Sequence, residues 1–191
     1  MIPSLFKRVV FTFTLATTAG LPSMAGGVSI TNFGHSSLLF KGGGESVLIN
    51  PFIAVGCAAG LKEPKVRAKV ILASSELPDE GARNVAKGIF LVRPGSYRIG
   101  RLNLEGFSSA HDRFGGRRYG STTIWKWNQG GLNIVHLGGA VAPLTPVDKV
   151  LLGRPDILIL AVGGGLKVYN GLEAAQVVKD LRPKQVIPVQ Y

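Results

Sequence analysis

The chain reads first as short β-type runs and later as apolar runs alternating with helical spacing. Segments 28–34 and 37–41 are β-type, Gly42-Gly43-Gly44 is a turn, and 46–50 is apolar until Pro51 ends it. These predict three strands in a meander. Segment 66–73 holds the continuous apolar run Val70-Ile71-Leu72-Ala73, as expected of a strand covered on both faces. Pro78-Asp79-Glu80 carries the proline and acids of a first helical turn, and the pattern predicts a helix to about Ala86, with Gly88 at its exit. Segment 89–92 is again β-type, so 66–92 reads as a β-α-β unit.

Segment 96–107 predicts a hairpin turning near Gly100. Segments 121–128 and 132–137 predict a second hairpin around Gln129-Gly130-Gly131. In Thr123-Ile124-Trp125-Lys126-Trp127 either face could be the buried one. The last third alternates: a short helix at 146–152, a buried strand at 157–162, a helix at 172–181 and a strand at 185–189. In the longer helix Leu172, Ala175, Val178 and Leu181 recur at helical spacing. Strands that come first as meanders and then alternate with helices predict an α/β fold, with sheets packed together and helices outside.

The N-terminus is a separate matter. Lys7 and Arg8 precede an uncharged stretch from 9 to 21, Pro22 breaks it, and Ser23-Met24-Ala25 offers small residues for cleavage. That order is the secretory signal pattern, so 1–25 is expected to be a Sec-type signal peptide and 26–191 the mature domain. The expected location is the periplasm, a thylakoid lumen or the outside of the cell. Cys57 is the single cysteine, which excludes an intramolecular disulfide and fits a small apolar residue in a Gly/Ala-rich loop. The net charge of +11 falls to +9 without Lys7 and Arg8. Such an excess favours an acidic protein, a small anionic ligand or a membrane surface. Dispersed basic residues on an exported chain argue against nucleic acid.

Three histidines, His35, His111 and His136, each fall at or near a predicted strand end, where sheets deliver side chains to a cleft. The Gly-x-Ser-x-Gly elbow of serine hydrolases is absent. Gly163-Gly164-Gly165 lacks the Lys-Ser/Thr of a phosphate loop.

Gly34-His35-Ser36-Ser37, followed by Val47-Leu48-Ile49-Asn50-Pro51-Phe52, resembles the opening of β-lactamase-fold hydrolases related to ascorbate-phosphate lactonases, with their G-H-S and I-D-P-F. His111-Asp112 with the loop 115–120 resembles H-D…G-G-x-R-x-G. Segment 131–138 resembles G-L-x-I-x-H-L-G-D, 155–164 resembles P-D-x-L-x-x-P-V-G-G, and 182–191 resembles R-P-K-x-V-I-P-M-H-Y. The resemblance spans nearly the whole mature chain. It implies a four-layer αββα metallo-β-lactamase-like sandwich. The sequence stops at Tyr191, where such relatives continue, so a shortened C-terminus is expected.

The family uses H-x-H-x-D-H and further ligands to hold two metals that activate a bridging water. Aligned residue by residue, Ser75 and Leu77 stand for its first two histidines, Glu80 for the third, Gly139 for the bridging aspartate and Gln190 for the last histidine. Of the seven ligand positions only Asp79 and His111 keep their residue, and Asn50 stands for the acid of I-D-P-F. No cofactor is therefore expected. The residual set Asp79, Glu80 and His111 could still make a weak mononuclear zinc site. The resemblance then implies a non-catalytic binding or assembly protein, or alternatively a residual hydrolase of a small ester, lactone or phosphoester. The cleft is expected to be lined by His35, Asp112 and His136 beside those three. Arg113, Arg117 and Arg118 either grip an anion or belong to a solvated loop.

Overall fold

The computed structural model describes residues 27–191; the expected signal segment lies outside them. Two mixed sheets pack face to face. The first has the order β1 (Ser29–Gly34), β2 (Ser37–Gly42), β3 (Glu45–Ile49), β4 (Arg67–Leu72) and β5 (Lys87–Leu91). Its first three strands form the expected antiparallel meander, and β3, β4 and β5 run parallel. The second sheet has the order β11-β10-β9-β8-β7-β6. It comprises β6 (Gly95–Ile99), β7 (Leu102–Ala110), β8 (Ser121–Gln129), β9 (Leu132–His136), β10 (Ile157–Ala161) and β11 (Gln185–Val189). Strands β6 to β9 are antiparallel, and β9, β10 and β11 are parallel.

The core lies between the sheets. Leu38, Phe40, Val47, Ile49, Val70 and Leu72 meet Leu104, Trp125, Trp127, Ile134 and Ile159 there, all essentially without solvent contact. Strand β8 settles the question of its buried face by burying both. Trp125 and Trp127 point between the sheets, while Ile124 joins the cluster under the helices. The indole of Trp125 donates to the Ala73 carbonyl at 2.9 Å, and Thr123 N donates to Ser74 O at 2.6 Å, so the sheets are stitched together at one end. At the other end the buried Gln129 amide donates to the carbonyls of Phe40, Gly42 and Glu45.

Helices α1 (Pro146–Leu152) and α2 (Gly171–Leu181) cover the outer face of the second sheet. Each begins with a capping box, Thr145 with Asp148 and Asn170 with Glu173. The buried stripe of α2 is Ala174, Val177 and Leu181, so the expected face is rotated: Leu172 is 86% exposed. Glu173, at the start of the helix, caps it and pairs with Arg113. The sandwich is as expected, with few helices.

The helix expected at 78–86 is absent. Its backbone is committed elsewhere: Ala82 N donates to Pro51 O at 2.9 Å, and Pro78 O accepts from Ile53 N at 2.9 Å. Gly81 also lies directly against the Ser75 carbonyl, an approach that a Cβ would block. Long-range pairing has overridden a local start signal, and the β4–β5 crossover is an irregular loop.

Candidate functional site

The chemistry-bearing residues gather at one end of the sandwich because most of them follow the C-terminal end of a strand. Asn50 follows β3, Ser74 to Glu80 follow β4, and His111 and Asp112 follow β7. Gly139 lies beyond β9, which ends at His136, Lys167 lies beyond β10, and Gln190 follows β11. His35 joins them from the β1–β2 turn. His35, Asn50 and Gln190 all have positive φ, at 51°, 48° and 52°. Backbone strain is thus concentrated at this end of the fold.

The inner half of the cleft is sealed. His111 Nε2 and Glu80 Oε1 are 2.9 Å apart with both side chains wholly buried, in close contact but without hydrogen-bond geometry. The His111 ring occupies the space beside Gly139: a Cβ at 139 would overlap the Nε2–Cδ2 edge of the imidazole. The bridging-aspartate position and the His111 ring therefore claim one volume, and glycine is the residue that lets the ring in. Burial by itself would push the Glu80 carboxyl up. His111, Lys167 and a hydrogen bond from Ser74 outweigh it and hold the group below the usual carboxylate range. His136, fully buried, is driven down to about 4 by desolvation and is neutral. Its Nδ1 accepts from Gly138 N–H at 2.9 Å, which puts the ring proton on Nε2.

A neutral hydrogen-bond chain runs behind this pair. Asn50, buried and left-handed, donates from Nδ2 to Ser36 Oγ at 3.1 Å. Its Oδ1 accepts from Ser74 N and Ser74 Oγ, both at 2.8 Å, and the Ser74 hydroxyl also faces Glu80 Oε2 at 3.2 Å. Gln190 continues the chain. Its amide nitrogen lies 3.3 Å from Ser36 Oγ and 3.1 Å from His35 Nε2, so it takes up hydrogen bonds where the family pattern has a metal-binding histidine.

The outer half is open. A cleft of about 460 Å³ is lined by His35, Tyr119, Lys167, Val168, Gln190 and Tyr191. Lys167 Nζ stands 3.5 Å from Asp79 Oδ2, 3.7 Å from Glu80 Oε1 and 5.3 Å from the centre of the Tyr119 ring. His35 Nε2 is 3.8 Å from Asp79 Oδ2; burial lowers its pKa, and the Asp79 and Glu80 carboxylates offset this only in part.

The structure thus brings together His35, Asp79, Glu80, His111 and His136, and moves two expected groups to other work. Asp112 does not line the cleft but folds its loop, its two oxygens accepting from the N–H groups of Phe114, Gly116, Arg118 and Tyr119. Burial would raise its pKa, and those four donors together lower it below the ordinary value. Arg113 is engaged within the chain, with Nη1 and Nη2 on the Glu173 carboxylate at 2.7 and 2.6 Å and Nε on Gly165 O at 2.8 Å. Arg117 and Arg118 remain exposed, with Arg118 5.3 Å from the Tyr119 ring. Sequence reasoning missed Lys167 and gave Ser36 and Ser74 no role in the site. The one signal for Lys167 was a lysine just past the glycines that follow a buried strand.

These residues do not fit a metal. Among the described residues no three His, Cys, Asp or Glu side chains converge as donors. Leu77 and Gly139 carry no side-chain donor, Ser75 Oγ accepts from Leu77 N, and Gln190 is turned to His35 and Ser36. Glu80 and His111 face each other, and an ammonium group stands beside both acids.

A family model described as Beta-lactamase superfamily domain matches residues 29–190. A UPF0173 metal-dependent hydrolase of Thermococcus kodakarensis is 24% identical over 195 residues, covering 86% of this chain and 84% of that protein. A crystal structure from Thermotoga maritima, assigned as a Zn-dependent hydrolase of the metallo-β-lactamase superfamily, matches at 27% identity and a TM-score of 0.69, over 85% of this chain and 75% of that one. A structure from Parabacteroides distasonis, assigned as a metal-dependent hydrolase, shares the fold at 18% identity and a TM-score of 0.67, over 87% and 83%.

Proposed function

The chain belongs to the beta-lactamase superfamily, and from that premise we propose that it is a member whose metal machinery has been dismantled and whose cleft now serves binding. One observation carries the reading: the His111 ring occupies the space beside Gly139 and packs against Glu80 at 2.9 Å with both side chains wholly buried, so two of the surviving donors have closed on each other where a metal would sit. A mere loss of ligands would leave holes. Here the replacements interlock, Gly139 with His111 and Gln190 with His35 and Ser36. The exposed Arg117 and Arg118 on the loop that carries Tyr119 favour a small anionic ligand or an acidic protein at the rim. Residues 1–25 are proposed to export the chain.

A second reading is favoured by the relatives, which are named metal-dependent hydrolases: residual hydrolysis of a small ester or lactone by Glu80, Asp79 and His111. The two separate on metal content after zinc or manganese reconstitution, beside a His111→Ala control. We expect no more metal than in the control and no ester turnover. Near-stoichiometric metal that the control loses would sink the binding-protein reading in favour of the hydrolase.

A further inference from the structure

We propose that the Lys167 ammonium is a tethered cation that stands in for the metal charge, completing the electrostatics of this cleft and keeping divalent cations out. The proposal rests on the dismantled reading above and adds the residue that enforces it.

Asp79 and Glu80 are consecutive, and both direct an oxygen toward one point. Two carboxylates so placed repel each other unless a cation lies between them. Lys167 Nζ is that cation, 3.5 Å from Asp79 Oδ2 and 3.7 Å from Glu80 Oε1. These are the distances of an ion shared by two acids rather than paired tightly with one. His35, the other basic group near Asp79, is a weak competitor, because burial disfavours its charged form and Lys167 repels it.

The lysine is also held in place. Its segment leaves β10 through Gly163-Gly164-Gly165 and is fixed by Gly164 N to Tyr169 O at 2.9 Å. Arg113 braces it from the other side, through Arg113 N to Leu166 O at 3.2 Å and through its guanidinium to Gly165 O and Val168 O. That guanidinium is itself anchored on Glu173 of α2. The arginine read from sequence as an anion grip thus positions the loop that delivers Lys167. A compact ammonium on a flexible stem suits such a shared position better than the planar fork of an arginine.

The test uses the full chain with Lys167→Gln and Lys167→Arg, Mn²⁺ as the probe, and thermal unfolding beside calorimetric titration. The wild type and Lys167→Arg should show no shift with Mn²⁺. Lys167→Gln should melt lower without metal, regain stability with Mn²⁺, and bind it about ten-fold or more tightly than the wild type does. A Lys167→Gln protein as stable as the wild type and indifferent to Mn²⁺ overturns the proposal. So does one that is destabilised but gains nothing from Mn²⁺. If Lys167→Gln does not fold alone, refolding with Mn²⁺ decides: recovery supports the proposal and failure overturns it. Failure in the variants with a metal-free wild type sinks only the role of Lys167. Stoichiometric metal in the wild type that His111→Ala loses sinks the dismantled reading as well.

Discussion

On the proposed reading, the two halves of the cleft depart from a metal site in different ways. In the inner half, change has been steric: a glycine admits an imidazole ring, the ring meets a carboxylate, and no solvent reaches either. In the outer half, change has been electrostatic: an ammonium lies loosely between two acids at the edge of an open cleft. The inner half has become core and is governed by packing density. The outer half has kept a solvent-facing surface, where ligand contact remains feasible. On that reading a dismantled site can still present a usable wall beside a half from which solvent is excluded.

The largest expected effect comes from forcing the old residue back. Gly139→Asp puts a carboxylate where the His111 ring sits, beside Glu80, and should destabilise the fold by about 3 kcal/mol or more in urea unfolding. Adding His111→Ala vacates that volume, so the double variant should lose less than the sum of the single losses. Strict additivity would mean that the two positions do not share the space, and the inner half would not be interlocked.

The next effect is one of pH. Folded His136 titrates at about 4 against an ordinary 6.5. Between those values the unfolded chain binds a proton that the folded ring refuses, so this contribution is full above 6.5 and is lost as pH falls toward 4. The loss is on the order of 3 kcal/mol. His136→Asn should flatten the urea midpoint across that interval, and an unchanged slope would remove His136 as the source. The smallest effect belongs to the outer half. Asp79→Asn, whose partners are 3.5 and 3.8 Å away, should cost under about 1 kcal/mol. A loss as large as that of Gly139→Asp would erase the distinction between the halves.

Much of the fold was legible because its signals are local. The turns at 42–44 and 129–131 and the apolar runs of β3, β4 and β10 each announce themselves within a few residues. The motif positions likewise located His35, Asp79, Glu80, His111 and His136 at one end of the sheets. The helix expected at 78–86 misled because Pro78-Asp79-Glu80 has the composition of a helix start, whereas Pro51 and Ile53, distant in sequence, take its backbone hydrogen bonds. Arg113 misled for a similar reason: a basic residue in a glycine-rich loop reads as an anion grip until its partner, Glu173, is seen 60 residues away.

By itself the sequence determined the order of the strands and of the last two helices, the αββα family resemblance and which positions differ from that family's ligand pattern, since each depends on residue type and short spacing. What those changes accomplish was decided only by the tertiary structure. That His111 enters the space at Gly139, that Gln190 bonds His35 and Ser36, and that Lys167 reaches two acids are contacts between segments far apart in the chain. Volume and charge balance are properties of such contacts, and no local pattern encodes them.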